Sequence, residues 1–482
     1  MATFLDDDIV RLTRADGSSR QYYWGDRVEK LASDSTDHDI RVLDRKGRKL
    51  DEGRVAKKAK FRTKALLRLS MIDVQQGDGL ILETPADEVV FIDGGDNQLF
   101  ARHAAARFRG TTATDPLIVD LMLVTHGDAD HFAGLSEVLK SETNASPRKR
   151  LFVAPKRYFH NGIVKRPSSR PDSQLLGPTS VVAGATFVTG LVDDPASLPP
   201  GERNQPFNEW VTTLAAWDQR TEALTGQPIE RRRIDHQATS AFDFLKAGGV
   251  RIDLLGPIVE DANGAPGLRF LREPPDDAEL MLGTGPASAG NSAGSGLTAS
   301  HTINGHSIAF RLQYGNVRFL FTGDLNQEAG QRLREAMPGT SLRCEVLKAP
   351  HHGSADFDME LLKEAGPVVS MISSGDENAQ KEYIHPRATL MAALGRASRT
   401  TPAILFVTEL AAFFTTKGYV TPKKGKPFFA FERTNFGIIH IRTDGERVLA
   451  FTHSGKAGMN EAYRFTVSST GEVVFAAKIR KV

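Results

Sequence analysis

The chain has 482 residues, 40% of them hydrophobic and 25% charged, and this length points to two or three domains rather than one compact core. Its single cysteine, Cys344, excludes an internal disulfide and a multi-cysteine zinc site, and fits a reducing cytoplasm. A net charge of +2 does not announce a nucleic-acid partner, no apolar run reaches the roughly 18 residues of a membrane span, and the acidic opening MATFLDDDIV is unlike a secretory signal.

Residues 1–65 alternate apolar and polar positions in short pieces (IVRLTRADGS, IRVLDRKGRKL), which predicts a small β-rich N-terminal module. From residue 66, LLRLSMIDV, LILET and VVFIDGG read as strands that run into turns. LIVDLMLVT at 117–125 reads as one continuous buried strand, and FAGLSEVLK at 132–140 has helical spacing. Strand, loop and helix alternate, so an α/β layered core over 66–400 is expected. Residues 157–250 read as an insertion carrying one amphipathic helix, NEWVTTLAAWDQRTEALTG. The Gly/Ala/Ser-rich stretch 283–300 is expected to be mobile. IAFRLQYGNVRFLFTGD predicts a hairpin turning at Gly315-Asn316. VLKAPHHGS, PVVSMISSG and PAILFVTEL add core strands, and 401–482 reads as a β-rich C-terminal extension. Basic runs at 54–64, 148–150, 231–233, 423–426 and 478–481 permit phosphate contacts but are also what a solvated surface looks like.

The stretch LVTHGDADHFAGL, 123–135, crowds His126, Asp128, Asp130 and His131 between the small residues Gly127 and Ala129. Strand ends in α/β folds support ligand sites, because side chains there project from a rigid base into a crevice. Other apolar strands also run into residues that can bind metal: Asp93 after VVFI, Asp324 after FLFTG, and His351 with His352 after VLKAP. His385 stands apart in YIHP. A capping role would explain Asp130 alone. The full set exceeds what one tetrahedral ion needs and points to a two-metal centre that activates a water between its ions.

These motifs, together with MIDVQQGDGLILET, FIDGGD, NGHSIAFRLQYGNVRFLFTGD, LKAPHHGS and EYIHPRATLMAAL, resemble the metallo-β-lactamase superfamily over roughly 66–400. The usual His-x-His-x-Asp-His motif is here His-x-Asp-x-Asp-His, as in the subgroup formed by the soluble domain of ComEC-type competence proteins and its free-standing relatives. The resemblance implies a four-layer αββα sandwich with two divalent ions, Zn²⁺ or Mn²⁺. His126 and Asp128 would hold one ion, Asp130 and His131 the other, Asp324 would bridge, and His351 and His352 would complete the set. Asp93 would orient a ligand or the loop, and His385 would contact a phosphate or, if protonated, donate a proton to the leaving group. Asp73 and Asp78 read as loop structure, and His306 as a possible substrate contact rather than a ligand. The implied activity is a cytoplasmic phosphodiesterase that cleaves nucleic acid, with Asp130, His385 and Asp93 as its catalytic groups. The alternatives are a hydrolase of small phosphodiesters (a cyclic nucleotide or a phosphocholine ester) or lactones, and a non-catalytic metal-containing binding protein. No protein partner is indicated.

Overall fold

The computed structural model describes residues 2–272, 296–375, 385–412, 437–453 and 461–476, with the strand pieces 419–420, 428–429 and 432–435. It is a mixed α/β protein built on three main sheets.

The first sheet gathers seven strands from Thr3 to Arg62. Their alternating residues Val10, Leu12, Ile40, Val42 and Val55 close a small core of their own. This unit is anchored to the rest of the chain through Trp24, which packs with Leu66, Leu449 and Phe451 and carries the Arg447 guanidinium 3.9 Å from its ring centroid. Arg447 and Arg464 also pair with Asp6 at 2.6 Å and Asp8 at 2.8 Å.

The second sheet has ten strands. In spatial order they are Glu230–Arg233, Arg157–His160, Leu121–Leu123, Val89–Asp93, Gly79–Glu83, Leu67–Met71, Ile438–Thr443, Arg447–His453, Ala462–Val467 and Val473–Phe475. The first four are mutually parallel and the others antiparallel. VVFID is buried at every position, as a strand covered on both faces must be, and its β-branched residues suit that environment. The third sheet orders Val250–Leu254, Phe310–Tyr314, Val317–Phe321, Val346–Lys348, Val369–Ile372 and Ile404–Val407. Its hairpin turns at Gly315-Asn316 with Tyr314 opposite Val317, the register read from the sequence.

The inner residues of the two large sheets meet in one cluster that includes Leu69, Ile92, Leu123, Phe310, Phe319, Met371, Ile441 and Phe465. Against the other face of the ten-stranded sheet lie the helices Leu99–Arg107, Ala129–Ser141 and Gln205–Thr225. Against the other face of the six-stranded sheet lie Gln327–Ala336, Met359–Ala365 and Ala388–Ala397. The helix Gln205–Thr225 starts at an Asn204 side-chain cap and ends at a left-handed Gly226. It buries Phe207, Trp210, Leu214 and Trp217 at helical spacing.

Three readings from the sequence meet a different arrangement. LIVDLMLVT is two strands in two sheets, Leu117–Val119 and Leu121–Leu123. The break falls at Asp120, whose carboxylate accepts the Val89 amide at 2.9 Å, a bond that a continuous apolar strand could not make. The segment 157–250 begins and ends in the large sheets, and its central helix belongs to the core beneath the second. Strands from the expected C-terminal extension also complete that sheet, because Ile438–Thr443 pairs directly with Leu67–Met71. The stretch 283–300 lies largely outside the described residues, whereas Ala299–Gly305 is a short helix. Among the described residues no helix is long and apolar enough to cross a membrane.

Candidate metal centre

The centre forms where neighbouring strand ends of the two large sheets open toward one edge. Val89–Asp93 delivers Asp93, Leu121–Leu123 leads to His126, Val317–Phe321 leads to Asp324, and Val346–Lys348 leads to His351 and His352. The helix Ala129–Ser141 begins one residue after Asp128, which places Asp130 and His131 in its first turn rather than in the preceding loop.

Asp93 is fully buried and holds a left-handed φ of 56°. Its carboxylate accepts the Thr125 amide at 2.8 Å, the Thr125 hydroxyl at 2.7 Å and His131 Nδ1 at 2.9 Å. His131 therefore carries its proton on Nδ1 and turns Nε2 inward, toward Asp324 Oδ2 at 3.3 Å and His352 Nε2 at 3.3 Å. His352 Nε2 in turn lies 2.9 Å from Asp324 Oδ2 and 3.9 Å from Asp130 Oδ2. His351 Nε2 is 4.0 Å from the same Asp324 oxygen. His351 and His352 both adopt left-handed backbone, φ 44° and 50°, the strained conformation that aims the pair at one point.

His126 supplies the clearest test of whether these residues suit a metal. Ser307 Oγ donates to the Asn304 carbonyl at 2.8 Å and accepts the Asp324 amide at 2.8 Å. It can therefore only accept from His126 Nδ1, 3.2 Å away, which leaves Nε2 as a bare lone pair. That Nε2 is buried and has no hydrogen-bond partner among the described residues. A buried acceptor costs about 1–3 kcal/mol if left unmade, and a cation removes that cost. The ligand atoms of His126, His131 and Asp324 lie within 4.8 Å of one another, as do those of Asp130, His131 and His352, and of Asp78, Asp324 and His352. Imidazole with carboxylate suits Zn²⁺ or Mn²⁺.

The electrostatics agree. Burial alone would make His131 and His352 harder to protonate. Asp324 with Asp93 or Asp78 outweighs it, raising His131 well above its usual range and His352 to about 9. The same two imidazoles and Lys348 hold Asp324 well below the ordinary carboxylate range. For His126, burial and the neighbouring His131 imidazole outweigh Asp324 and push it well down.

Lys348 is not singled out by the sequence, and Asp78 reads there as loop structure. Lys348 is 2% exposed, donates to the Gly323 carbonyl at 2.8 Å, and lies 3.4 Å from Asp324 Oδ1. It also pairs with Asp78, itself buried, so Asp78 is part of the centre and not only of its loop. The loop is tight for a reason: a Cβ on Gly77, at φ 91°, would stand 1.6 Å from the Asp130 carbonyl.

Other expected residues sit differently. Asp128 belongs to none of the candidate ligand groups among the described residues, and its carboxylate pairs with Lys165. His385 lies beside His351, with ring centroids 5.9 Å apart. Burial and the two neighbouring imidazoles push it down to about 3. It therefore faces the site neutral near pH 7 and does not fit the role of a protonated donor. His306 Nε2 donates to the Arg269 carbonyl at 2.7 Å and is a core histidine. In the run 231–233, Arg231 is held by Asp194 at 3.2 Å and by Asp218, so this guanidinium is already engaged within the protein.

No protein-family model matches the chain. Over 96 residues it is 30% identical to ComE operon protein 3 of Bacillus subtilis (strain 168). That stretch is 20% of this chain, and it spans only 12% of the relative's length.

Proposed function

We propose that the chain is a metal-dependent phosphodiesterase acting on nucleic acid, built on the four-layer αββα sandwich of the metallo-β-lactamase superfamily. The observation that carries the reading is the convergence of a bare His126 Nε2 with His131, His352 and Asp324 at one edge of two facing sheets. The local similarity to ComE operon protein 3 and the ComEC-type motifs favour nucleic acid as the substrate.

Two divalent ions bound here would activate a water and neutralise the charge that develops on a phosphoryl group. His126, Asp324 and His351 would hold one, and Asp130, His131, His352 and Asp324 the other. The chain's own residues set the geometry. Asp93 fixes the His131 tautomer, and Lys348 locks Asp324 Oδ1 so that Oδ2 alone faces the imidazoles. His385, neutral, is suited to hydrogen-bonding a phosphate oxygen. The ion pairs of Arg231 favour a second reading, a smaller phosphodiester, because they engage one arginine of a basic run that would otherwise face nucleic acid.

Purified protein with added Mn²⁺ or Zn²⁺, assayed on single- and double-stranded DNA and on a generic phosphodiester, separates the two. Cleavage of DNA supports the nuclease. Hydrolysis of the small ester with intact DNA supports the second reading, and neither activity in a metal-loaded protein overturns both.

A further inference from the structure

Asp128 stands second in the metal loop, where a ligand to the first ion is expected, yet the chain has given it another partner. It occupies the N-cap of the helix Ala129–Ser141, but its carboxylate caps no backbone amide. It turns instead to the ammonium of Lys165. Lys165 comes from a different part of the chain and is held there by its backbone. Its carbonyl accepts the Asn204 amide at 2.9 Å, and the next residue, Arg166, donates its amide to the Leu175 carbonyl at 2.7 Å. Ile163 and Val164, just before it, are fully buried.

The segment also lies directly on the metal loop. A Cβ on Gly127 would meet the Ile163 carbonyl at 3.0 Å and the Phe207 ring at 3.0 Å. The pair is thus a built contact between two packed segments, with the Lys165 side chain 27% and the Asp128 side chain 17% exposed. The consequence is an imbalance between the two halves of the centre. Asp130, His131, His352 and Asp324 remain available as one set. The set around His126 is short of the carboxylate that Lys165 holds.

We propose that Lys165 withholds Asp128 from the metal centre, so that the resting protein binds one divalent ion tightly and a second only as Lys165 releases Asp128. The inference rests on the metal-centre reading above. A second ion must break an ion pair to gain its ligand, whereas the first need not.

The test is the number of Mn²⁺ ions bound per full-length chain, measured by equilibrium dialysis with elemental analysis, starting from metal-free protein. Wild type and Lys165→Arg, which keeps the cation, should bind one ion tightly and a second at least about tenfold more weakly, the scale of a lost supporting contact. Lys165→Met should bind two with similar affinity. Lys165→Met combined with Asp128→Asn should return to one, which shows that the gain runs through Asp128. Circular dichroism confirms that each variant is folded. Two equally tight ions in wild type, or a single ion in folded Lys165→Met, would overturn the inference and leave the metal centre standing. No bound ion in any folded variant would overturn the centre itself, and the inference with it.

Discussion

Replacing Asp93 by Asn tests how the site is aimed, and its effect can be worked from the hydrogen bonds. Asn tolerates the left-handed φ of 56° better than most residues, so the backbone need not move. Its Oδ1 can still accept the Thr125 amide. Its Nδ2, however, replaces the oxygen that accepts from Thr125 Oγ1 and from His131 Nδ1. His131 must then present an unprotonated Nδ1 to that amide and move its proton to Nε2, the atom aimed at Asp324 and His352. An N–H cannot ligate. Loss of such a supporting carboxylate weakens metal binding about 10- to 100-fold, or about 1.4–3 kcal/mol. Asp93→Ala would be a poorer probe, since it strands the Thr125 amide at a further cost of about 1–3 kcal/mol. The assay is competition for Zn²⁺ against a chromophoric chelator, with circular dichroism as the control for folding. A folded Asp93→Asn protein with wild-type metal affinity would refute the tautomer argument.

Four further outcomes follow from the same geometry. Asp324→Ala should remove metal and any hydrolytic activity while the two sheets stay folded, checked by elemental analysis and near-ultraviolet dichroism. Gly77→Ala places a Cβ against the Asp130 carbonyl at a positive φ, so the loop must shift; a cost of at least about 1–2 kcal/mol and weaker metal binding should appear in thermal melts and chelator competition. Burial lowers His306 to about 4, while its unfolded value is near 6.5. The unfolded chain therefore binds more protons between those values, and the contribution of His306 to stability is complete above pH 6.5 and lost as pH falls through 4. Metal-free wild type should lose up to about 3 kcal/mol more over that window than His306→Gln in denaturant titrations, and parallel profiles would count against it. Arg231→Ala should lower the melting temperature but leave the salt dependence of any DNA binding unchanged, because its guanidinium is already paired.

Several parts of the site could be read in the sequence because each is a local event. An apolar strand that runs directly into Asp93, Asp324 or the His351-His352 pair announces itself, and the Gly315-Asn316 turn fixed its own register. What could not be read depends on distance in the chain. Lys165 carries no local sign that it will meet Asp128, 37 residues away. Lys348 sits in a strand that reads as simply apolar, and only the pairing of Val346–Lys348 beside Val317–Phe321 puts its ammonium between Asp78 and Asp324. Asp78 belongs to the quoted QGD motif, but its role follows from that lysine. LIVDLMLVT reads as one strand because nothing local shows that the Asp120 carboxylate will accept the Val89 amide and divide it in two. The triple arginine at 231–233 looked available because the acids that hold Arg231, Asp194 and Asp218, are distant in sequence.

The most direct test of the account is cleavage of single- and double-stranded DNA by the metal-free protein, by the protein reloaded with Mn²⁺ or Zn²⁺, and by reloaded Asp130→Ala. The account predicts cleavage only in the reloaded wild type, and its loss in the variant. DNA left intact by a fully metal-loaded wild-type protein, or cut equally well by Asp130→Ala, would contradict it.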